Sequence, residues 1–197
     1  MLFNGATMSE EAKIVDFATK IEKLKHSVKN IPDYPKPGIL FRDVSSLCQD
    51  KEAFSLSISM LYDLFKDEKI DLVVAAEARG FVFGAPLANL LNSGFVMVRK
   101  PGKLPRETIE EQYDLEYGVN TLQVHKDAIQ SGQRVLIIDD LLATGGTVEA
   151  MIRLCRRLGA DIVGVGFIIE LFDLGGALRI EREYGIKPVS LLKFPGH

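Results

Sequence analysis

Three stretches of this chain, Leu72–Ala76, Val135–Asp139 and Ile162–Ile169, are apolar at almost every position rather than at every second one. A strand with two apolar faces must be covered on both, and the intervening segments carry helical spacing. The combination limits the fold to the α/β class, a mostly parallel sheet flanked by helices. Helices are expected from Ser9, with Ile14, Phe17, Ile21, Leu24 and Val28 on one face, and after Asp50, with Phe54, Ile58, Leu61 and Phe65. Others are expected at Phe81–Leu91, Thr147–Leu158 (closed by Gly159) and Ala177–Tyr184. Further strands fall at Phe95–Val98, Val119–Val124 and Val189–Leu192.

Composition narrows the class further. With 197 residues, 47% hydrophobic, the chain is long enough for one substantial core. Residues 9–197 are expected to form that single domain, and residues 1–8 an extension without pattern. No apolar run approaches the roughly 18 residues of a membrane span, and the start lacks a basic-then-apolar leader, so a cytoplasmic address without membrane partners is expected. Cys48 and Cys155 make no disulfide framework, and His26, His125 and His197 form no zinc motif. Magnesium, which takes carboxylate and phosphate oxygens, stays open. A net charge of −3 argues against nucleic acid as a partner.

The chemistry is concentrated after the second apolar strand. Val135–Ile138 delivers two adjacent carboxylates, Asp139 and Asp140, at its C-terminal end, where parallel sheets bind ligands. Ala143-Thr144-Gly145-Gly146-Thr147 then turns into a helix, so glycine backbone and a helix N-terminus can close on a phosphate. Paired acids or a Gly-Gly turn alone would say little; the composite is far more specific. Neither G-x-G-x-x-G nor G-x-x-x-x-G-K-[ST] occurs, so it is neither a dinucleotide nor a nucleoside-triphosphate loop. Arg99–Tyr117 shows no apolar period and holds the acids Glu107, Glu110, Glu111, Asp114 and Glu116. A stretch of that length inside a compact domain is read as a lid loop.

This motif resembles the sugar-phosphate motif of the type I phosphoribosyltransferases. Four more segments are similar to the adenine-specific branch of that family: Pro37–Asp43, Glu77-Ala78-Arg79-Gly80-Phe81, Arg99–Pro105 and Leu115-Glu116-Tyr117-Gly118. They cover the chain from about Ser9 onward in family order. The resemblance implies the type I fold, with a small hood region and a flexible lid. It also implies transfer of a phosphoribosyl group from 5-phospho-α-D-ribose 1-diphosphate to adenine, giving AMP and diphosphate with Mg2+, in a homodimer that salvages purine.

By the same resemblance, Ala143, Thr144, Gly145, Gly146 and Thr147 hold the 5′-phosphate, and Asp139 and Asp140 the ribose hydroxyls. Glu77, Ala78 and Arg79 form the diphosphate loop. Arg99, Lys100 and Lys103 are further diphosphate contacts, partly across the dimer interface. Glu116, before Tyr117, handles the purine proton. Leu40, Phe41 and Arg42 read adenine, with Leu171 on the other ring face. Magnesium is held mainly through the diphosphate rather than by protein ligands. Ala75 departs from the family pattern, which often has glycine there, and only a small backbone adjustment is expected. Enzymes for 6-oxopurines usually carry aspartate where this chain has Ala143, which favours adenine over another base. A phosphoribosyl-diphosphate-sensing regulator would call for a basic face and a degraded lid, and the sequence has neither.

Overall fold

The computed structural model describes residues 10–114 and 119–196. By compactness the chain divides into two units, Met1–Leu56 and Ser57–His197. In the first, α1 (Glu10–Ser27) precedes the antiparallel pair β1 (Lys29–Pro32) and β2 (Leu40–Asp43), with Ile31 opposite Phe41. Asp43 caps the short α2 (Val44–Gln49) through its carboxylate, which accepts from Ser45 N–H at 2.9 Å. The expected face of α1 is buried only toward its end: Leu24 and Val28 are inside, whereas Ile14 and Phe17 are exposed. Neither β1 nor α2 is expected from the sequence, because Pro32, Pro35 and Pro37 mask one and six residues are too few to show a period in the other. Helix α3 runs over Lys51–Phe65.

The second unit holds β3 (Leu72–Ala76), α4 (Arg79–Leu90), β4 (Gly94–Val98), β5 (Thr108–Asp114), β6 (Val119–His125), β7 (Arg134–Leu142), α5 (Gly146–Arg157), β8 (Asp161–Leu171), α6 (Gly176–Tyr184) and β9 (Val189–Phe194). Five of these strands form one parallel sheet in the order β4-β3-β7-β8-β9. Alternation sorts its two faces. Val74, Ala76, Val135, Ile137, Val165 and Phe167 join one core with Val148, Met151 and Ile152 of α5. On the other face Ala75 meets Gly80 and Gly84 of α4, and Gly164 and Gly166 leave room for the Phe65 ring. Both faces are covered, as continuously apolar strands require. Among the described residues no helix is long and apolar enough to cross a membrane.

One segment departs from expectation. The stretch read as a lid without regular structure contains β5, which pairs antiparallel with β6 from Thr108–His125 to Asp114–Val119. Ile109, Glu111 and Tyr113 are half-buried while Glu110 and Gln112 are exposed, a period of two. Glu111 interrupts the apolar alternation, and its burial is balanced by Arg153 at 3.3 Å and Arg157 at 2.8 Å.

Candidate active site

From the central neighbours β3 and β7 the chain departs in opposite directions, through α4 to β4 on one side and through α5 to β8 on the other. At such a switch point the loops after the two strands part, opening a crevice at the carboxyl ends. β3 stops at Ala76, whereas β7 continues to Leu142 against β8 alone. Asp139 and Asp140 therefore lie where one neighbour has already ended. A cavity of about 410 Å³ opens there.

The acids are buried and held from several sides. Asp140 N–H donates to Asp139 Oδ1 at 2.9 Å. Arg79 Nε stands 2.6 Å from Asp140 Oδ2, close enough for an ion pair, although among the described residues that oxygen has no hydrogen-bond partner. Gly80 lets helix α4 approach, since a Cβ there would lie 2.8 Å from Asp139 Oδ1. Burial pushes the Asp139 carboxyl well above the usual carboxylate range, and the Asp140 charge adds to it. Burial also raises Asp140, with the Arg79 guanidinium pulling the other way. Two adjacent carboxylates under this stress favour hydroxyl donors or positive charge brought between them.

Opposite them, Ala143–Thr147 leads into α5. Gly145 caps the helix at φ +96°, a left-handed conformation that favours glycine. A glycine cap brings no side-chain oxygen, so the first-turn N–H groups keep the positive end of the helix for a ligand. The β3 side of the cavity contributes Glu77, Ala78 and Arg79, with a cis Glu77–Ala78 peptide. Glu77 Oε2 accepts from Arg99 Nε at 2.5 Å. Burial works to raise the Glu77 carboxyl, but the Arg99 guanidinium and the Lys100 N–H together hold it below its ordinary value.

Of the residues singled out from sequence, Glu77, Ala78, Arg79, Lys100, Asp139, Asp140 and Ala143–Thr147 line this one cavity. Arg99 is engaged by Glu77 instead, and Lys103 is exposed, its carbonyl accepting from Arg99 Nη1 at 3.4 Å. Leu171 is half-buried at the end of β8, outside the lining. Leu40, Phe41 and Arg42 belong to the first unit. There Tyr34 meets the Phe41 ring edge-on at 5.1 Å, and Arg42 Nη1 donates to Asn30 Oδ1 at 2.6 Å. Glu116 and Tyr117 lie outside the described residues. Tyr113, Leu122 and Phe167, which the sequence does not mark as site residues, are among the other residues of the wall. Leu122 alternates with polar neighbours in β6, but Tyr113 follows the interruption at Glu111 and Phe167 lies in a continuously apolar strand, so no pattern in the sequence marks the three together.

The profile of the phosphoribosyl transferase domain family matches residues 43–189. Curated adenine phosphoribosyltransferases of Escherichia coli and Shigella flexneri are 59% identical over 180 residues, covering 91% of this chain and 98% of theirs. The crystal structure of adenine phosphoribosyltransferase from Thermoanaerobacter pseudethanolicus superposes with a TM-score of 0.83 at 49% identity, over 88% of this chain and 99% of that one. The Saccharomyces cerevisiae enzyme, crystallised with an imino-altritol bisphosphate and adenine, gives 0.81 at 36% identity, over 89% and 99%.

Proposed function

The chain belongs to the phosphoribosyl transferase domain family and, within it, to the adenine phosphoribosyltransferases; from that membership we infer that it joins adenine to 5-phospho-α-D-ribose 1-diphosphate, forming AMP and releasing diphosphate. One observation carries the chemistry: the carboxylate pair, the glycine-capped helix N-terminus, Arg79 and Lys100 all open on one cavity. A donor with phosphate at one end, diphosphate at the other and two hydroxyls between matches that order of groups.

In this reading the first turn of α5 takes the 5′-phosphate, and Asp139 and Asp140 accept from the ribose hydroxyls. As the bond to diphosphate breaks, positive charge grows on the sugar, and the nearby carboxylates favour it. Arg79 and Lys100 receive the departing diphosphate, the guanidinium through several fixed donors. Glu77, tied to Arg99, fixes the loop from which Arg79 springs. Leu40, Phe41 and Arg42 are assigned to adenine with Leu171, Glu116 to the purine proton beside Tyr117, and Lys103 to the diphosphate across a subunit boundary. The methyl of Ala143 offers nothing to a 6-oxopurine, which supports adenine.

Among the described residues no group of three or more His, Cys, Asp or Glu side chains is arranged to hold a metal ion. Two acids beside a diphosphate site suit magnesium, which uses few protein carboxylates and many phosphate and water oxygens. When bound, the ion supplies Lewis-acid neutralisation of the leaving diphosphate.

The decisive assay is diphosphate release with magnesium and the phosphoribosyl donor, run separately against adenine, hypoxanthine, guanine and uracil. Release is expected with adenine alone; release with a 6-oxopurine would overturn the base assignment. A homodimer is part of the proposal, supported by exposed Val82 and Leu90 on α4 and Met97 on the edge strand β4. Met97→Asp is expected to shift the mass seen by light scattering from two chains to one. A wild-type protein that is fully active as a monomer would remove the dimer and the shared role of Lys103.

A further inference from the structure

Helix α5 carries an acid where a phosphate-binding helix would least tolerate one. Glu149 lies in the first turn, its N–H donating to Gly145 O at 3.0 Å, and its side chain is only 2% exposed. A carboxylate there competes with an incoming phosphate for the positive end of the helix. Its Oε2 accepts from Arg179 Nη2 of α6 at 2.5 Å, while Oε1 has no hydrogen-bond partner among the described residues.

The other charges facing Glu149 do not replace Arg179. Arg153, on the same helix, is engaged by Glu111, the Tyr184 hydroxyl and the Gln112 carbonyl. Glu183 of α6 adds negative charge and stands 3.8 Å from Arg179 Nε. The pair lies directly behind the phosphate loop. Glu149 and Arg179 border a second cavity of about 220 Å³, and Gly146 and Tyr113 are walls of both cavities. The same helix touches the loop: a Cβ built at Gly145 would sit 3.5 Å from Gly176 O and 3.7 Å from Ile180 Cδ1.

We propose that Arg179 is a positioning residue for the transfer reaction: by cancelling the buried Glu149 carboxylate it leaves the N-terminus of α5 free to receive the dianionic 5′-phosphate. The inference rests on the functional reading above and adds to it a residue outside the substrate cavity. Arg179 touches no substrate in this account; it acts through Glu149.

The test compares wild type, Arg179→Gln, Arg179→Lys and the double variant Glu149→Gln/Arg179→Gln. KM is measured for each substrate, binding is titrated with ribose 5-phosphate and inorganic diphosphate, and thermal melting checks the fold. Arg179→Gln is expected to raise the KM for the phosphoribosyl donor and the Kd for ribose 5-phosphate about tenfold, a size set by one uncompensated charge near a dianion. The adenine KM and diphosphate binding should stay unchanged. Arg179→Lys should keep most of the affinity, and Glu149→Gln in the Arg179→Gln background should restore it.

Unchanged ribose 5-phosphate binding in Arg179→Gln would overturn the proposal. So would loss of affinity for both substrates without recovery in the double variant, which would mark a purely structural contact. A wild-type protein that neither binds ribose 5-phosphate nor consumes the donor would instead overturn the functional reading on which the proposal stands.

Discussion

Asp139→Asn and Asp140→Asn are each expected to lower kcat about 10²–10³-fold, the usual cost of removing one preorganised group facing transition-state charge. Both side chains keep their shape, and an amide oxygen at position 139 can still accept from Asp140 N–H, so the loss would measure charge rather than packing. Asp139→Asn should also melt higher at neutral pH. A buried carboxyl held above its unfolded value favours the folded state only while protonated. Its contribution is whole below about pH 4 and is lost as pH rises through the raised folded value. The two melting curves should therefore converge near pH 4 and separate toward neutrality, by about 2–6 °C. Near-normal turnover in both variants would remove the pair from the chemistry. Identical melting across that range would mean that the Asp139 charge is not destabilising.

The second large effect is expected at a residue that lines neither of the two cavities described above. A Cβ at Gly176 would lie 2.2 Å from Ala143 O and 3.0 Å from Leu142 Cδ1. No rotamer relieves a clash with a backbone oxygen, so Gly176→Ala must push the phosphate loop away from α6. Overpacking of this kind costs about 1–3 kcal/mol, and a melting point lower by roughly 3–10 °C should follow. The KM for the phosphoribosyl donor should rise at least tenfold, because the displaced carbonyl belongs to the loop to which the proposed function assigns the phosphate. Gly185→Ala is the control. Gly185, whose φ is positive (+69°) where that of Gly176 is not, has nothing within 4 Å of a new Cβ, so it should lose about 1 kcal/mol from backbone strain alone and leave both KM values unchanged. Equal KM values in wild type and Gly176→Ala would show that the loop absorbs the push.

The central sheet is legible because its strands are apolar on both faces. Leu72–Ala76 has the same limits in sequence and structure, and β7, expected over Val135–Asp139, begins one residue earlier and runs on to Leu142. The motif that ends β7 and leads into α5 is equally legible, since paired acids followed by threonines and glycines have few other uses. What escapes is set by contacts between distant positions. Glu111 hides β5, because an acid in the inward row reads as solvated until Arg153 and Arg157 are seen beside it. Arg99 is a diphosphate contact by resemblance, and what the sequence does not show is its tie to Glu77, 22 positions earlier, which forms because β3 and β4 end side by side. Tyr113, Leu122 and Phe167 carry no chemical label, and only the fold turns ordinary apolar positions into a cavity wall. Arg179 escapes for a further reason: its partner, Glu149, is an acid that the phosphate motif alone gives no cause to expect.

The fit of α4 against β3 has a historical consequence. The Ala75 methyl occupies the space that a side chain on the helix would need, since a Cβ at Gly84 would come 2.9 Å from it. The Phe95 ring closes the same space from β4, its Cε2 also 2.9 Å from that Cβ. A lineage carrying Ala75 and Phe95 cannot accept alanine at 84 in one step; Ala75→Gly and a smaller side chain at 95 must both come first. Only then is the helix free to gain the methyl and the helix propensity that comes with it. The order of mutation, and not only the end state, is thus written into the distances between these elements.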